Sequence, residues 1–162
     1  MKKFAEGFTL VELLIVIALL GALAVGLLAT IDPFEQLKKG RDTSIRNTVS
    51  EFYNANLRYY ATKASFPWGT GSTFTAKTVN TMGSEVTELV SAGELKNRFM
   101  ELAGTGNLGK IYVTSTAAEH VAVCFRPESK SFQADANTVY GSDGSAVTSG
   151  CKSQGGTSLC YL

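Results

Sequence analysis

Residues 7–31, GFTLVELLIVIALLGALAVGLLATI, decide the architecture of this 162-residue chain. Only Thr9, Glu12 and Thr30 interrupt the apolar run, and Leu13 to Ala29 carries no polar side chain. At a rise of about 1.5 Å per residue, a helix over this stretch is long enough to cross a bilayer core of roughly 30 Å. The sequence therefore predicts one membrane-length helix at 8–31, followed by a single small domain at 32–162.

Two common explanations of such a helix are a secretory signal and a plain membrane anchor. A secretory signal has a shorter apolar core, with a small-residue cleavage site after it. Here the small-residue step Gly7-Phe8 comes before the apolar run, and no comparable step follows Ile31. Hydropathy does not exclude a plain anchor, and basic residues flank the segment on both sides, so the positive-inside rule is weak evidence.

Glu12 distinguishes these explanations, because a carboxylate inside a membrane helix costs up to about 3 kcal/mol and gives a plain anchor no benefit. Such a residue usually has a partner. Cleavage after Gly7 would create a new α-amino group at Phe8, which is four residues from Glu12 and on the same face of a helix. The amine that pairs with Glu12 would belong to the same chain or to a neighbouring subunit.

The segment Gly7 to Ile17 resembles the N-terminal signature of type IV prepilins and type II secretion pseudopilins. The resemblance rests on a short basic leader, on Gly7 followed by Phe8, and on Glu12 four residues after Phe8. These residues stand at the start of a long apolar helix. The resemblance implies that a prepilin peptidase cuts between Gly7 and Phe8 and N-methylates Phe8. It also implies that Glu12 is the buried assembly glutamate and that residues 1–7 are the leader.

The remaining sequence predicts a helix over 32–64. It either starts at an Asp32 cap, with Pro33 at the first helical position, or continues the preceding helix with a kink at Pro33. Ile45, Val49, Phe52 and Tyr60, with Tyr53 beside them, form an apolar stripe that we expect to pack on a sheet. The motif Phe66-Pro67-Trp68-Gly69 is a stop signal and opens a variable loop at 65–110, which contains a short helix at Glu85 to Val90.

The C-terminal third, 111–162, has the pattern of an antiparallel sheet followed by a C-terminal loop. Strands are predicted at Ile111 to Thr116 and His120 to Arg126, and a short return strand at Ser131 to Ala134. A further hairpin is predicted at Asn137 to Tyr140 and Ser145 to Thr148, around the turn Ser142-Asp143-Gly144. The fold class is therefore α+β: a long hydrophobic helical stalk, with a small antiparallel head on its C-terminal half.

The side chains that carry chemistry do not form a catalytic set, so we expect no enzyme, no cofactor and no metal. His120 is the only histidine, and Cys124 has the pattern of a small buried residue. Asp135 and Asp143 are the only acids near the tail that are available for calcium. Turn formation is the favoured role for both, since calcium takes six to eight oxygen ligands. The GxGxxG pattern at 104–109 does not lie between a clear strand and a helix, which argues against dinucleotide binding.

Cys151 and Cys160 lie close together in a polar tail, which fits an oxidising compartment. We predict a disulfide between them, because the short loop contains Gly155 and Gly156 and lets the chain turn back. The competing pairing joins Cys124 to one of these two cysteines and closes a longer loop. The family resemblance favours some C-terminal disulfide, and in many type IV pilins it runs from a strand to the tail.

The resemblance implies a structural subunit of a type IV pilus-like surface filament. The precursor would sit in the cytoplasmic membrane as a single-pass protein, and the mature subunit would form a helical homo-oligomer. The implied partners are a prepilin peptidase and an inner-membrane assembly platform. A secretion-system pseudopilin and a competence pilin that binds DNA are alternatives. The net charge of +1 gives no general attraction to nucleic acid, and basic residues 38–46 are better explained as a solvated or subunit-facing surface.

Overall fold

The computed structural model describes residues 7–30, 32–143 and 145. The chain divides into two compact units, an N-terminal unit of residues 1–36 and a head unit of residues 37–162. A helical N-terminal segment and a small antiparallel sheet make the fold α+β, which confirms the predicted class.

Helix α1 covers Leu10–Thr30 and contains 21 residues. Within it, Leu10–Leu28 is apolar and long enough to span a membrane, and it is the one such helix among the residues that the structure describes. Its large apolar side chains remain between 47% and 79% exposed in the isolated chain. A helix that is apolar on all sides in this way needs lipid or protein around it.

Helix α2 covers Pro33–Lys63 and begins with the predicted cap. The Asp32 Oδ1 atom accepts hydrogen bonds from the backbone N–H groups of Phe34 and Glu35, at 3.1 and 3.3 Å. Pro33 occupies the first helical position, where its missing N–H costs nothing. The helix ends at Lys63 because Ala64 takes a left-handed conformation, with φ of 52°, just before the predicted stop.

In the head, α2 supplies the centre of the core through the predicted stripe. Ile45 and Phe52 are fully buried, and Val49 and Tyr60 pack against the core from its edge. The Phe52 ring lies 6.2 Å from the Phe99 ring, between centroids. The stripe prediction is thus confirmed for these four residues, whereas Tyr53 remains 37% exposed.

The sheet has three antiparallel strands in the order β1-β2-β3. Their bounds are Phe74–Thr78 for β1, Ile111–Ala117 for β2 and His120–Phe125 for β3. The two later strands match the prediction closely. Strand β1 was not predicted, because a glycine- and threonine-rich context concealed it and a bulge at Ala76, with φ of 53°, breaks its alternation.

Short helices connect these strands. A 3-10 turn covers Val79–Thr81, α3 covers Gly83–Ser91, α4 covers Phe99–Ala103 and α5 covers Thr105–Leu108. Helix α3 contains the short helix predicted at Glu85 to Val90. Helix α5 contains most of the GxGxxG stretch, and strand β2 follows it. In a dinucleotide-binding motif the glycines instead follow a strand and open a helix.

The return strand predicted at Ser131 to Ala134 is wrong, since residues Lys130–Gln133 form helix α6. Ser129 caps this helix by accepting a hydrogen bond from the Phe132 N–H group. No strand forms at 137–140, the first arm of the predicted hairpin. Residues 136–137 form a turn, and only Tyr140 makes an isolated β-bridge. The hairpin's other arm, beyond Ser145, lies outside the described residues.

Asp42, a residue that the sequence did not single out, attaches α2 to the chain that leaves β3. Its side chain is fully buried. Oδ2 accepts hydrogen bonds from the Ser129 N–H group at 2.7 Å and the Ser129 hydroxyl at 2.6 Å. Oδ1 accepts one from the Glu128 N–H group at 3.0 Å. A buried carboxylate is tolerated here because three donors replace the water it loses.

Candidate functional site

The start of α1 is a reciprocal capping arrangement between Thr9 and Glu12. The Glu12 N–H group donates to the Thr9 hydroxyl oxygen at 3.2 Å. In return, the Glu12 Oε2 atom accepts from the Thr9 N–H group at 3.1 Å and from the Thr9 hydroxyl at 2.9 Å. This is a capping box, and its sequence signal is Thr followed by Glu three residues later.

The capping box places Phe8 outside the helix. Residues 7–9 are not helical, and Phe8 is 79% exposed. In the uncut chain, Phe8 and Glu12 therefore do not share a helix face as the four-residue spacing predicted. The reason is that the Thr9 hydroxyl accepts from the Glu12 N–H group, which makes Thr9 the cap and places the helix start at Leu10.

Glu12 retains one unused acceptor. Both bonds from Thr9 go to Oε2, and within residues 7–30, 32–143 and 145 the Oε1 atom accepts no hydrogen bond. The residue is also the only charged group in the membrane-length helix. The arrangement thus holds a carboxylate at a fixed place, with one oxygen available to a donor from outside the helix.

Residues 2–28 match the family model of the prokaryotic N-terminal methylation motif. The chain carries the type IV pilin and pseudopilin signature. The match covers Gly7, Phe8 and Glu12 together with most of α1, so it includes the residues predicted for cleavage and the helix that follows them. No curated protein and no solved structure matches the chain.

This pilin signature indicates a structural subunit that is processed by a prepilin peptidase and assembled with other subunits. The apolar N-terminal helix and the motif are consistent with a membrane-anchored precursor. The signature is common to pilins and pseudopilins. The match is confined to residues 2–28, so it supports a pilin-like or pseudopilin-like subunit and does not distinguish between the two.

His120 and Cys124 lie at opposite ends of β3. His120 is exposed at the start of β3, where its Nδ1 atom lies 3.2 Å from the Thr116 hydroxyl across the hairpin. Cys124 is buried, as predicted, and its Sγ atom lies 3.6 Å from the Gly141 carbonyl oxygen.

The two candidate calcium ligands, Asp135 and Asp143, each form a local turn. Asp135 Oδ1 accepts from the Asn137 N–H group at 2.9 Å, and Asp143 Oδ1 accepts from the Ser145 N–H group at 3.0 Å. A second hydrogen bond, from the Ser145 hydroxyl, is the main reason why the pKa of Asp143 lies below its ordinary value. These turns explain both aspartates without a metal.

A polar cavity of about 540 Å³ in the head is lined by Lys38 of α2 and by Lys110, Arg126 and Glu128 among others. Glu128 forms an ion pair with Lys110 and a longer one with Arg41, at 3.8 Å. The hydrogen bond from Lys110 lowers the pKa of Glu128, and burial opposes this effect. The solvated or subunit-facing interpretation of residues 38–46 stays a prediction.

Cys151 and Cys160, which the sequence predicts to form a disulfide, lie outside the described residues. The disulfide stays a prediction.

Proposed function

We propose that this protein is a structural subunit of a type IV pilus-like cell-surface filament, assembled through α1 after cleavage between Gly7 and Phe8. The observation that supports this most directly is the capped Glu12, a single carboxylate in an otherwise apolar helix with one oxygen unbonded. Residues 1–7 are then the leader, residues 8–31 the filament-core helix, and residues 32–162 the pilin head.

The exposure of α1 supplies the driving force for assembly. While the subunit waits in the membrane, lipid covers the apolar side chains that are 47% to 79% exposed in the isolated chain. When the assembly platform removes the subunit from the bilayer, the neighbouring α1 helices become the available apolar surface. A contact repeated head-to-tail without closure produces a helical filament.

Glu12 would set the axial register of that filament. Cleavage at Gly7 leaves an amine at Phe8, and the free Oε1 atom of a neighbouring Glu12 can accept its N–H bond. Inside an apolar core, an unpaired carboxylate costs several kcal/mol, so one axial position that pairs the two charges is favoured over positions that do not. N-methylation of Phe8 keeps the amine cationic.

The capping box allows the charge of Glu12 to be tested separately from its role in starting the helix. Glu12→Gln retains an acceptor for Thr9, because Gln also completes a capping box, but it removes the charge. Thr9→Ala removes the cap and keeps the charge. Glu12→Ala removes both.

We expect all three variants to reach the membrane fraction in normal amounts, since none adds a charge to the span. Filament yield should fall at least tenfold in Glu12→Gln and Glu12→Ala and should remain within about twofold in Thr9→Ala. Filament yield is measured by shearing the cells and quantifying the subunit beside its membrane abundance. A normal yield in Glu12→Gln, or an equal loss in Thr9→Ala, would contradict the proposed role of the charge.

A further inference from the structure

The polar cavity of the head carries an excess of positive charge. Lys38, Lys110 and Arg126 line it, and Glu128 is the one acid among the described residues of its wall. Arg41 follows Lys38 by three residues, on the same face of α2, and approaches Glu128 to 3.8 Å. Four cations thus surround a single carboxylate.

The Glu128 carboxylate responds to these cations. The hydrogen bond from Lys110 is the main cause of its lowered pKa, and the charges of Arg41 and Lys38 lower the pKa further, whereas burial raises it. The buried Asp42 carboxylate accepts from the Glu128 N–H group, and counting its charge as well still leaves two positive charges in excess. An anion of one or two charges would therefore be attracted to the cavity.

The ion pairs leave hydrogen-bonding capacity for such an anion. An ammonium carries three N–H donors and a guanidinium five, so Lys110 and Arg41 retain donors while they pair with Glu128. Their side chains are 37% and 62% exposed, so a ligand can approach them. Ammonium and guanidinium groups together suit phosphate, whose oxygens accept from both. The volume of about 540 Å³ also lies within the range of roughly 300–1,000 Å³ that small-molecule sites have.

Chain length keeps this cavity near the membrane, whatever the arrangement of the two units. Lys38 follows Thr30, the last residue of α1, by eight residues, and residues 33–38 are helical. Three extended steps and five helical ones allow at most roughly 20 Å between the two residues. The tether lets lipid headgroups of the adjacent leaflet reach the cavity, at a higher local concentration than a dissolved anion has.

We propose that the cavity binds the phosphate headgroup of an anionic lipid in the leaflet next to α1, held by Lys38 and Arg126. Basic pockets beside membrane helices bind anionic headgroups through the same attraction. A local excess of two charges suits one phosphate, whereas a nucleic acid is attracted by a broad positive field, which a net charge of +1 does not provide. Lipid binding of this kind rests on the membrane-anchored subunit of the proposed function and is independent of filament assembly.

The test is native mass spectrometry of the full-length protein in an uncharged detergent, titrated with phosphatidylglycerol or with zwitterionic phosphatidylcholine. The disrupting variant is Lys38→Gln with Arg126→Gln. Its matched control, Arg46→Gln with Lys63→Gln, removes the same charge at exposed positions that do not line the cavity. A third variant, Glu128→Gln, removes the acid that opposes an anion.

The wild-type protein should bind one phosphatidylglycerol at least tenfold more tightly than phosphatidylcholine. The disrupting variant should lose about tenfold or more of this affinity, and the matched control should stay within about twofold. Glu128→Gln should bind phosphatidylglycerol at least twofold more tightly, which is a gain that an unfolded head does not produce.

Three results with the lipids would overturn the proposal. They are equal affinity for the two lipids, an equal loss in the matched control, and weaker binding in Glu128→Gln. Two competitors identify other occupants and would overturn it as well. If soluble glycerol phosphate binds as tightly as the lipid, the ligand is a dissolved anion. If an oligonucleotide displaces phosphatidylglycerol at equal phosphate concentration, the ligand is a nucleic acid.

Flotation of the full-length protein with phosphatidylcholine liposomes tests the α1 anchor separately. A protein that does not float would contradict the proposed function as well as the lipid site. A protein that floats but binds the two lipids equally would contradict the lipid site alone.

Discussion

Asp42→Ala should be among the most destabilising single substitutions in the head, although the residue is charged. Its carboxylate is fully buried and accepts from the N–H groups of Glu128 and Ser129 and from the Ser129 hydroxyl. Alanine leaves two backbone donors without an acceptor. The Ser129 hydroxyl can rotate to another partner, so its loss matters less.

The structure permits an order-of-magnitude figure for this loss. Each buried donor left unsatisfied costs about 1–3 kcal/mol, which gives roughly 2–6 kcal/mol for the two N–H groups. The middle of that range, about 4 kcal/mol, is a large part of the 5–15 kcal/mol that stabilises a typical domain. With a urea m-value of about 2 kcal/mol/M, the unfolding midpoint should fall by about 2 M.

Trp68 makes the experiment practicable, since it is the only tryptophan and lies in the head. Its ring packs 4.7 Å from that of Phe66 and 5.2 Å from that of Phe74, so its fluorescence reports on the folded head. Urea titrations of the detergent-solubilised full-length protein would compare Asp42→Ala with Glu51→Ala. Glu51 is an acid on the same helix in a surface ion pair with Lys96, at 3.7 Å, and its loss should cost less than about 1 kcal/mol.

Equal midpoints for the two variants would refute the reasoning, because they would show that the buried carboxylate does not hold the turn after β3. A further check is the double-mutant cycle of Asp42→Ala with Ser129→Ala. The two losses should be strongly non-additive, since both substitutions remove the same hydrogen bond.

The other predictions concern acid stability and the tail. The lowered pKa of Glu128 means that its ion pair with Lys110 stabilises the fold above the ordinary glutamate pKa of about 4.3, and that this contribution is lost as the pH falls through the lower folded value. Urea midpoints between pH 6 and pH 3 should therefore fall less in Glu128→Gln than in the wild-type protein; parallel curves would contradict this. A disulfide between Cys151 and Cys160 should appear in non-reducing peptide maps and contribute about 2–3 kcal/mol. A crosslinked peptide that contains Cys124 would show the local pairing to be wrong.

The sequence predicted most of what depends on local chemistry. Asp32 and Pro33 marked the start of α2 because capping and a missing N–H act within one helical turn. The apolar stripe of α2 predicted that Ile45 and Phe52 are core residues, because an amphipathic helix buries its apolar face. The pattern of His120 to Arg126 gave β3 within one residue of its observed end.

The errors come from interactions between distant parts of the chain. The segment at 131–134 alternates like a strand, but Ser129 caps it as a helix, and Ser129 is held in place by Asp42, 87 residues earlier. Strand β1 exists because it pairs with β2, and its own sequence is too short and too irregular to show it. At the N-terminus, Glu12 combines two roles, a charge in an apolar helix and a member of the capping box with Thr9, and the second depends on where the helix starts.

The central claim, that this is a processed pilin-like subunit, is tested most directly by the mass of the mature protein. Intact-mass analysis of subunits sheared from the cell surface, with sequencing of the N-terminal peptide, gives both the start of the chain and its modification. The account predicts a chain that begins at Phe8, has lost residues 1–7 and carries one methyl group on the Phe8 amine. A mature chain that retains residues 1–7, or one that begins beyond Ile31 and so lacks α1, would contradict it.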